Sequence, residues 1–217
     1  DAMQVLAVGF TSASIAASFG ISLPEALQIG TVFFLGMLIG ASLFGRLADR
    51  FGRRRVLLVT VACDAVFGLL SVFAPNLFLL FALRFLTGVA VGGTLPGDYA
   101  MMAEFLPAKN RGRWLVILEG FWVVGTVAVA LAAWIASLYV AIDAWRWIFA
   151  VTALPALIGI WLRLWVPESP LYLQRRNHPD ELKSVLNKIL VTNGKAELPP
   201  DATIKQPAGE PVQGIFT

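Results

Sequence analysis

Gly45 to Arg55 reads GRLADRFGRRR, a glycine-framed turn that carries five arginines and one aspartate within eleven residues. The runs on either side of it are apolar and long enough to cross a bilayer, which takes about 20 helical residues. A short, strongly basic connection between two such runs belongs on the cytoplasmic face, because Lys and Arg are retained on that side. The stretch therefore predicts two membrane helices and fixes the direction of both.

Composition carries the same reading outward to the whole chain. Of 217 residues 58% are hydrophobic and 14% are charged, and mean hydropathy is +0.74. Polar side chains this scarce cannot cover the apolar surface of a water-soluble domain. A net charge of +3 would suggest nucleic acid in a soluble protein. Here the basic residues cluster between apolar runs, so topology accounts for them and no nucleic-acid partner is expected. The single cysteine, Cys63, allows no internal disulfide and no thiolate cluster, so no metal or cofactor is expected and Cys63 reads as a small packing residue. The lone histidine, His178, lies outside the apolar runs, which leaves no nucleophile and base within them for an intramembrane enzyme. Nor is there the polar filter or charged ring of a channel.

Six spans follow from the apolar runs: Ala2 to Phe19, Glu25 to Gly45, Val56 to Ala74, Leu77 to Phe105, Trp114 to Val140 and Trp145 to Val166. Arginines 46, 50, 53, 54 and 55 follow the second span, Lys109, Arg111 and Arg113 the fourth, and Arg175 and Arg176 the sixth, whereas the alternate loops offer only Arg146. Every basic loop is then cytoplasmic, and both ends of the chain with them. The first span starts at Asp1 without a preceding methionine or a secretory signal pattern and reads as a truncated helix. Residues 1–166 form a transmembrane bundle, and 167–217 a cytoplasmic linker. Within the linker Leu182, Val185, Leu186, Ile189 and Leu190 recur at helical spacing after Pro179, predicting a short amphipathic helix. Residues 197–214 read as irregular linker, and Gly214 to Thr217 as the approach to a further span.

Lipid offers no hydrophobic drive for helix pairing, so close backbone contact at small residues has to supply it. Gly36 and Gly40 form one GxxxG step and Gly88 and Gly92 another, the latter followed by Gly93, Pro96 and Gly97. Packing and helix rocking are both open for these glycines. Charges within spans are costly, about 2.5 to 3.5 kcal/mol at the midplane even on insertion scales, and so point to function. Asp1, Asp64, Arg84, Asp98 and Glu119 stand out as candidates, with Arg84 needing a carboxylate on a neighbouring helix. The aromatic set Phe121, Trp122, Trp145 and Trp147 includes interfacial anchors, and Phe121 and Trp122, beside Glu119, are candidates for pocket walls.

Taken together, these motifs resemble the N-terminal six-helix half of a major facilitator superfamily transporter over nearly the whole chain. GRLADRFGRRR is similar to the superfamily's signature loop between helices two and three, with Gly45, Asp49, Gly52 and Arg53 in the matching places. RFLTGVAVGG, Arg84 to Gly93, resembles its fourth-helix motif. AEFLPAKNRGR, Ala103 to Arg113, and PESP, Pro167 to Pro170, resemble the sugar porter branch. There are two departures: Leu171 replaces the basic residue after PESP, and Glu119 stands where sugar porters carry a glutamine. Glutamine donates and accepts toward a hydroxyl, whereas ionised glutamate only accepts. The segment from Glu104 to Val127 more closely resembles carriers like the synaptic-vesicle proteins and the niacin transporter.

The resemblance implies an all-α fold, half of a twelve-helix protein whose other half supplies the second wall of the site. It implies alternating access for a small organic solute, an organic or aromatic acid or a sugar-like metabolite, with proton symport through Asp1 and Arg84. The alternative is a transporter-like sensor or a facilitative uniporter without proton coupling. Glu119, Trp122 and Thr126 are the expected substrate contacts. Gly45, Asp49, Gly52, Arg53, Glu104, Arg111 and Glu168 are the expected cytoplasmic gate network. Expected partners are the substrate, protons, the lipid bilayer and the C-terminal half, in a plasma (inner) membrane setting.

Overall fold

The computed structural model describes residues 2–106, 110–140, 143–176 and 178–199, and the fold is helical throughout them. The helices are α1 (Ala2–Phe19), α2 (Leu23–Phe51), α3 (Arg53–Val72), α4 (Leu77–Phe105), α5 (Arg111–Tyr139), α6 (Ala144–Arg163), α7 (Pro170–Arg175) and α8 (Pro179–Thr192). The first six are long and apolar enough to span a membrane. They turn large apolar side chains outward, among them Leu38, Val116, Trp134 and Ile158, where acyl chains rather than water would meet them.

The signature stretch corrects the expectation of an eleven-residue turn. Helix α2 continues through Arg46, Asp49 and Arg50 to Phe51, and α3 begins at Arg53, so Gly52 alone reverses the chain. Its φ of 101° is open to glycine and strained for other residues. The Gly52 N–H donates to the Ala48 carbonyl at 3.1 Å and its own carbonyl accepts from Val56 N–H at 3.3 Å. Carrying the helix beyond the hydrocarbon keeps those backbone groups paired while the charged side chains reach water. By the same logic α5 starts three residues before Trp114. Elsewhere local chemistry sets the ends: Glu25 accepts the Ser22 N–H and hydroxyl, each at 2.8 Å, and Asn76 accepts the Leu79 N–H at 2.8 Å.

The central contact is α4 against α2, and it is made of backbone. A Cβ at Gly88 would run into the Phe33 carbonyl, at Gly92 into Met37, at Gly36 into Phe85 and at Gly40 into Val89. Both glycine steps predicted from the sequence thus face each other and let the two helices touch main chain to main chain. Helix α3 packs on α4 and α6, and α1 is shared among α2, α5 and α6.

Charges hold the two ends of the bundle. At one end Arg53 at the start of α3 pairs with Glu104 at the end of α4, and Arg54 donates to the Leu164 carbonyl beyond α6 at 2.8 Å. At the other end Arg146 donates to the carbonyls of Val72 and Ala74, the latter at 3.2 Å, and lies 4.4 Å from the Trp145 ring centroid. Arg146 therefore satisfies carbonyls left open where α3 stops. Trp145 is fully buried, its indole N–H donating to Ser18 Oγ at 3.1 Å, so it is a core residue and not an interfacial anchor. Trp147, 63% exposed, retains that reading. A tryptophan whose N–H finds a hydroxyl on the neighbouring helix no longer needs the headgroup region.

After Val166 the chain forms a second compact unit. Its α8 starts at Pro179, as the helical spacing predicted, and buries Leu182. Helix α7 was not foreseen: Ser169 accepts the Tyr172 N–H at 3.1 Å and Pro170 opens the helix, a cap followed by proline at the first turn. The expected linker beyond Pro199, the approach at Gly214 to Thr217, and Lys109 lie outside the described residues.

In the full-length protein, Gly88→Val is expected to lower stability by roughly 1 to 3 kcal/mol, because α2 and α4 must separate around the new side chain. Gly9→Ala, where a Cβ meets nothing within 4 Å, is expected to be neutral or stabilising. Thermal unfolding in detergent measures both.

Candidate functional site

Arg84 lies two turns into α4 and is completely buried. Its guanidinium donates to Ser71 Oγ twice, from Nε at 3.1 Å and from Nη2 at 2.8 Å, to Gln4 Oε1 at 3.1 Å, and to the Gly68 carbonyl at 3.4 Å. The Phe149 ring lies 4.1 Å from the guanidinium carbon. Helices α1, α3 and α6 thus all converge on one α4 side chain. Every one of those contacts is to a neutral group, and among the described residues Arg84 makes no salt bridge. Asp1, the expected counterion, lies outside the described residues.

The nearby carboxylate is Asp64 on α3, 3% exposed, with Oδ1 lacking a hydrogen-bond partner. Gln4 stands between the two charges. Its carbonyl oxygen serves Arg84, while its amide nitrogen, also without a partner, packs on Gly68, one helical turn along α3 from Asp64.

A cleft of about 590 Å³ opens beside this cluster, lined from α1, α3, α4, α5 and α6. Asp64, Asp98, Tyr99, Phe121, Trp122 and Arg163 supply its polar and aromatic walls. Arg163 Nη2 holds both carboxylate oxygens of Asp98, Oδ1 at 2.7 Å, tying α6 to α4. On α5 the residues that face the cleft are Leu118, Phe121, Trp122 and Gly125, a single helical stripe.

That stripe decides where the predicted substrate contacts fall. Phe121 and Trp122 line the cleft. Glu119 and Thr126 sit one position off the stripe. The Thr126 hydroxyl is bound to the Trp122 carbonyl at 2.8 Å, and Glu119 accepts a hydrogen bond from Tyr99, which itself lines the cleft. Of the expected gate residues, Arg53 and Glu104 are brought together. Gly45, Asp49 and Arg53 line a smaller recess of about 200 Å³ against α4. Among the described residues neither Asp49 nor Arg111 has an ion pair, and both side chains are exposed. Glu168 belongs to the second unit, where its carboxylate accepts the Ser169 N–H at 3.0 Å.

Gln4, Ser71 and Arg163 are site residues that sequence reasoning missed. Arg163 had a signal, a charge inside the predicted sixth span. Gln4 and Ser71 are neutral polar residues in apolar runs, whose importance follows only from which helix faces them.

A sequence profile of the Major Facilitator Superfamily matches residues 2–204. The chain is 35% identical over 200 residues to organic cation/carnitine transporter 7 of Arabidopsis thaliana, covering 92% of this chain and 39% of that protein. It is 37% identical over 191 residues to NiaP of Bacillus subtilis, a protein assigned by name to niacin/nicotinamide transport, covering 85% of this chain and 46% of that one. The chain therefore spans less than half the length of these curated relatives. Its fold superposes on the proton:xylose symporter XylE bound to 6-bromo-6-deoxy-D-glucose with a TM-score of 0.79 at 23% identity, over 87% of this chain and 46% of that one. A partially occluded inward-open form of XylE from E. coli gives 0.78.

Removing one member of the Asp98–Arg163 pair leaves a charge in a partly buried site. A double-mutant cycle of Asp98→Asn and Arg163→Gln is expected to give a coupling of about 1 to 3 kcal/mol in thermal unfolding, as for hydrogen bonds between charged groups.

Proposed function

This chain belongs to the Major Facilitator Superfamily, and from that premise we propose that the whole protein is a secondary active transporter. It moves a small organic solute by alternating access, coupled to proton symport. The cleft beside Arg84 carries this reading: it is lined from five of the membrane-capable helices, walled by aromatics and edged with ionisable groups, as a substrate site between helices requires.

The residues take roles accordingly. Trp122 and Phe121 offer flat apolar faces to a planar or ring-shaped solute, and Tyr99 and Glu119 together present a polar edge at the same wall. Thr126 is the outermost of the proposed contacts on α5. Arg84 is the coupling cation, with Asp1 as its acidic partner at the head of α1. Arg53 and Glu104 support a gate at the basic end of the bundle, to which Gly45, Asp49, Gly52 and Arg111 contribute as further members. That end faces the cytoplasm, on the concentration of arginines there, and the plasma (inner) membrane is the proposed setting.

A specific observation favours a second substrate class. The cleft wall holds two carboxylates, Asp64 and Asp98, against one cation, Arg163, and Glu119 lies just behind it. Negative charge beside aromatic faces suits an organic cation better than an acid.

The full-length protein in liposomes, given a panel of aromatic acids, other organic acids, sugars and quaternary ammonium compounds, should acidify the lumen with one of these classes. Asp1→Asn should abolish proton-driven accumulation while sparing exchange. Uptake against a gradient surviving in that variant would remove Asp1 from the coupling, and solute flux without proton movement would turn the reading to a uniporter.

A further inference from the structure

We propose that Asp64 is a protonation site of this bundle in its own right, open to the cleft and coupled to Arg84 through the side-chain amide of Gln4. The inference rests on the transport reading for its purpose, but its evidence is local. Asp64 is almost entirely enclosed, yet it lines the cleft, and its Oδ1 has no donor. A buried carboxylate with an unsatisfied oxygen is costly unless something that enters the cleft completes it, and a proton from cleft water does so without any change of packing.

The second observation is the other unpartnered atom. Gln4 Nε2 is buried without an acceptor, on the α1 side chain that already accepts from Arg84. A side-chain amide can accept from a guanidinium through its oxygen and donate to a carboxylate through its nitrogen at once. With Asp64 ionised, Gln4 has reason to turn its N–H toward Oδ1, which draws α1 toward α3 while its carbonyl keeps α1 on α4. With Asp64 protonated the carboxyl is neutral, the pull on the amide relaxes, and Arg84 loses the negative charge nearest to it. One proton is taken from the cleft by Oδ1 and returned to water when the cleft opens to the other side, so the cycle closes with nothing else consumed.

Among the described residues the charged groups around Asp64 are few. From α4 it faces Arg84 and, across the cleft, Asp98; from α6 it faces Arg163; α1 presents the neutral Gln4. Asp98 is already held by Arg163, which leaves Asp64, among the described residues, as the cleft carboxylate without a cation bound to it. Leu118, Phe121, Trp122 and Gly125 on α5 complete the wall with no charge.

Infrared difference spectroscopy on the purified full-length protein, stepped in pH, tests this without knowledge of the substrate. The expected result is a carboxylic-acid carbonyl band that titrates in the wild type, persists in Asp1→Asn and is absent in Asp64→Asn. Gln4→Leu should keep the band and move the pH at which it appears. If Asp64→Asn does not fold, Asp64→Glu serves, with the band displaced in frequency. An unchanged band in the Asp64 variants, or no band in the wild type, overturns the proposal. Absence of flux for every compound in the liposome panel would instead count against the transport reading and leave the band to decide Asp64.

Discussion

A guanidinium sealed among four helices is the constraint around which this bundle is arranged. Arg84 cannot be solvated, so each of its donors has to find an acceptor within reach, and the acceptors come from α1 and α3 with an aromatic face from α6. Helices that in lipid have no hydrophobic reason to associate are thereby fixed in rotation about their own axes. Ser71 and Gly68 must face inward on α3 for this, and Asp64, one turn further, is brought with them to the edge of the cleft. Placement of the buried cation and placement of the cleft are one structural event.

The glycine contact supplies the other half of the frame. Between α2 and α4 the approach is main chain on main chain, so that pair resists relative movement and can act as a rigid spine. Polar tethers at the two ends extend it, Arg53 with Glu104 holding α3 to α4 and Arg146 holding α6 to the end of α3. A half built this way is suited to moving as a body, which is the mechanical requirement for rocking about a midplane site.

Much of this fold was legible because membrane helices obey a length rule and a charge rule. The spans Ala2–Phe19 and Leu77–Phe105 match the helices to the residue, and the steps Gly36 with Gly40 and Gly88 with Gly92 are visible as motifs, though not that they face each other. What escaped was whatever depends on helix rotation or lies beyond the hydrocarbon. The signature segment was taken for a turn because its arginines are hydrophilic, yet hydrophilic residues extend a helix readily once water can reach them, and a single glycine sufficed for the reversal. Trp145 was taken for an interface residue because nothing in one sequence shows that Ser18 will meet its indole. In the cleft, Trp122 lines the wall and Glu119 sits beside it, and spacing alone does not fix which face of α5 turns inward.

Arg163 shows how the remaining charges acquire meaning only in pairs. Alone it is a basic residue near the end of α6, of the kind that topology explains. Bound to both oxygens of Asp98, it neutralises the carboxylate that would otherwise compete with Asp64 for a proton or a cation entering the cleft. The two acids therefore differ in what they can do, although each sits in an apolar helix and each lines the same space. The one with a cation fastened to it ties α4 to α6, whereas Asp64 keeps an oxygen without a hydrogen-bond partner. That division is created by the helix neighbours and not by the residues themselves.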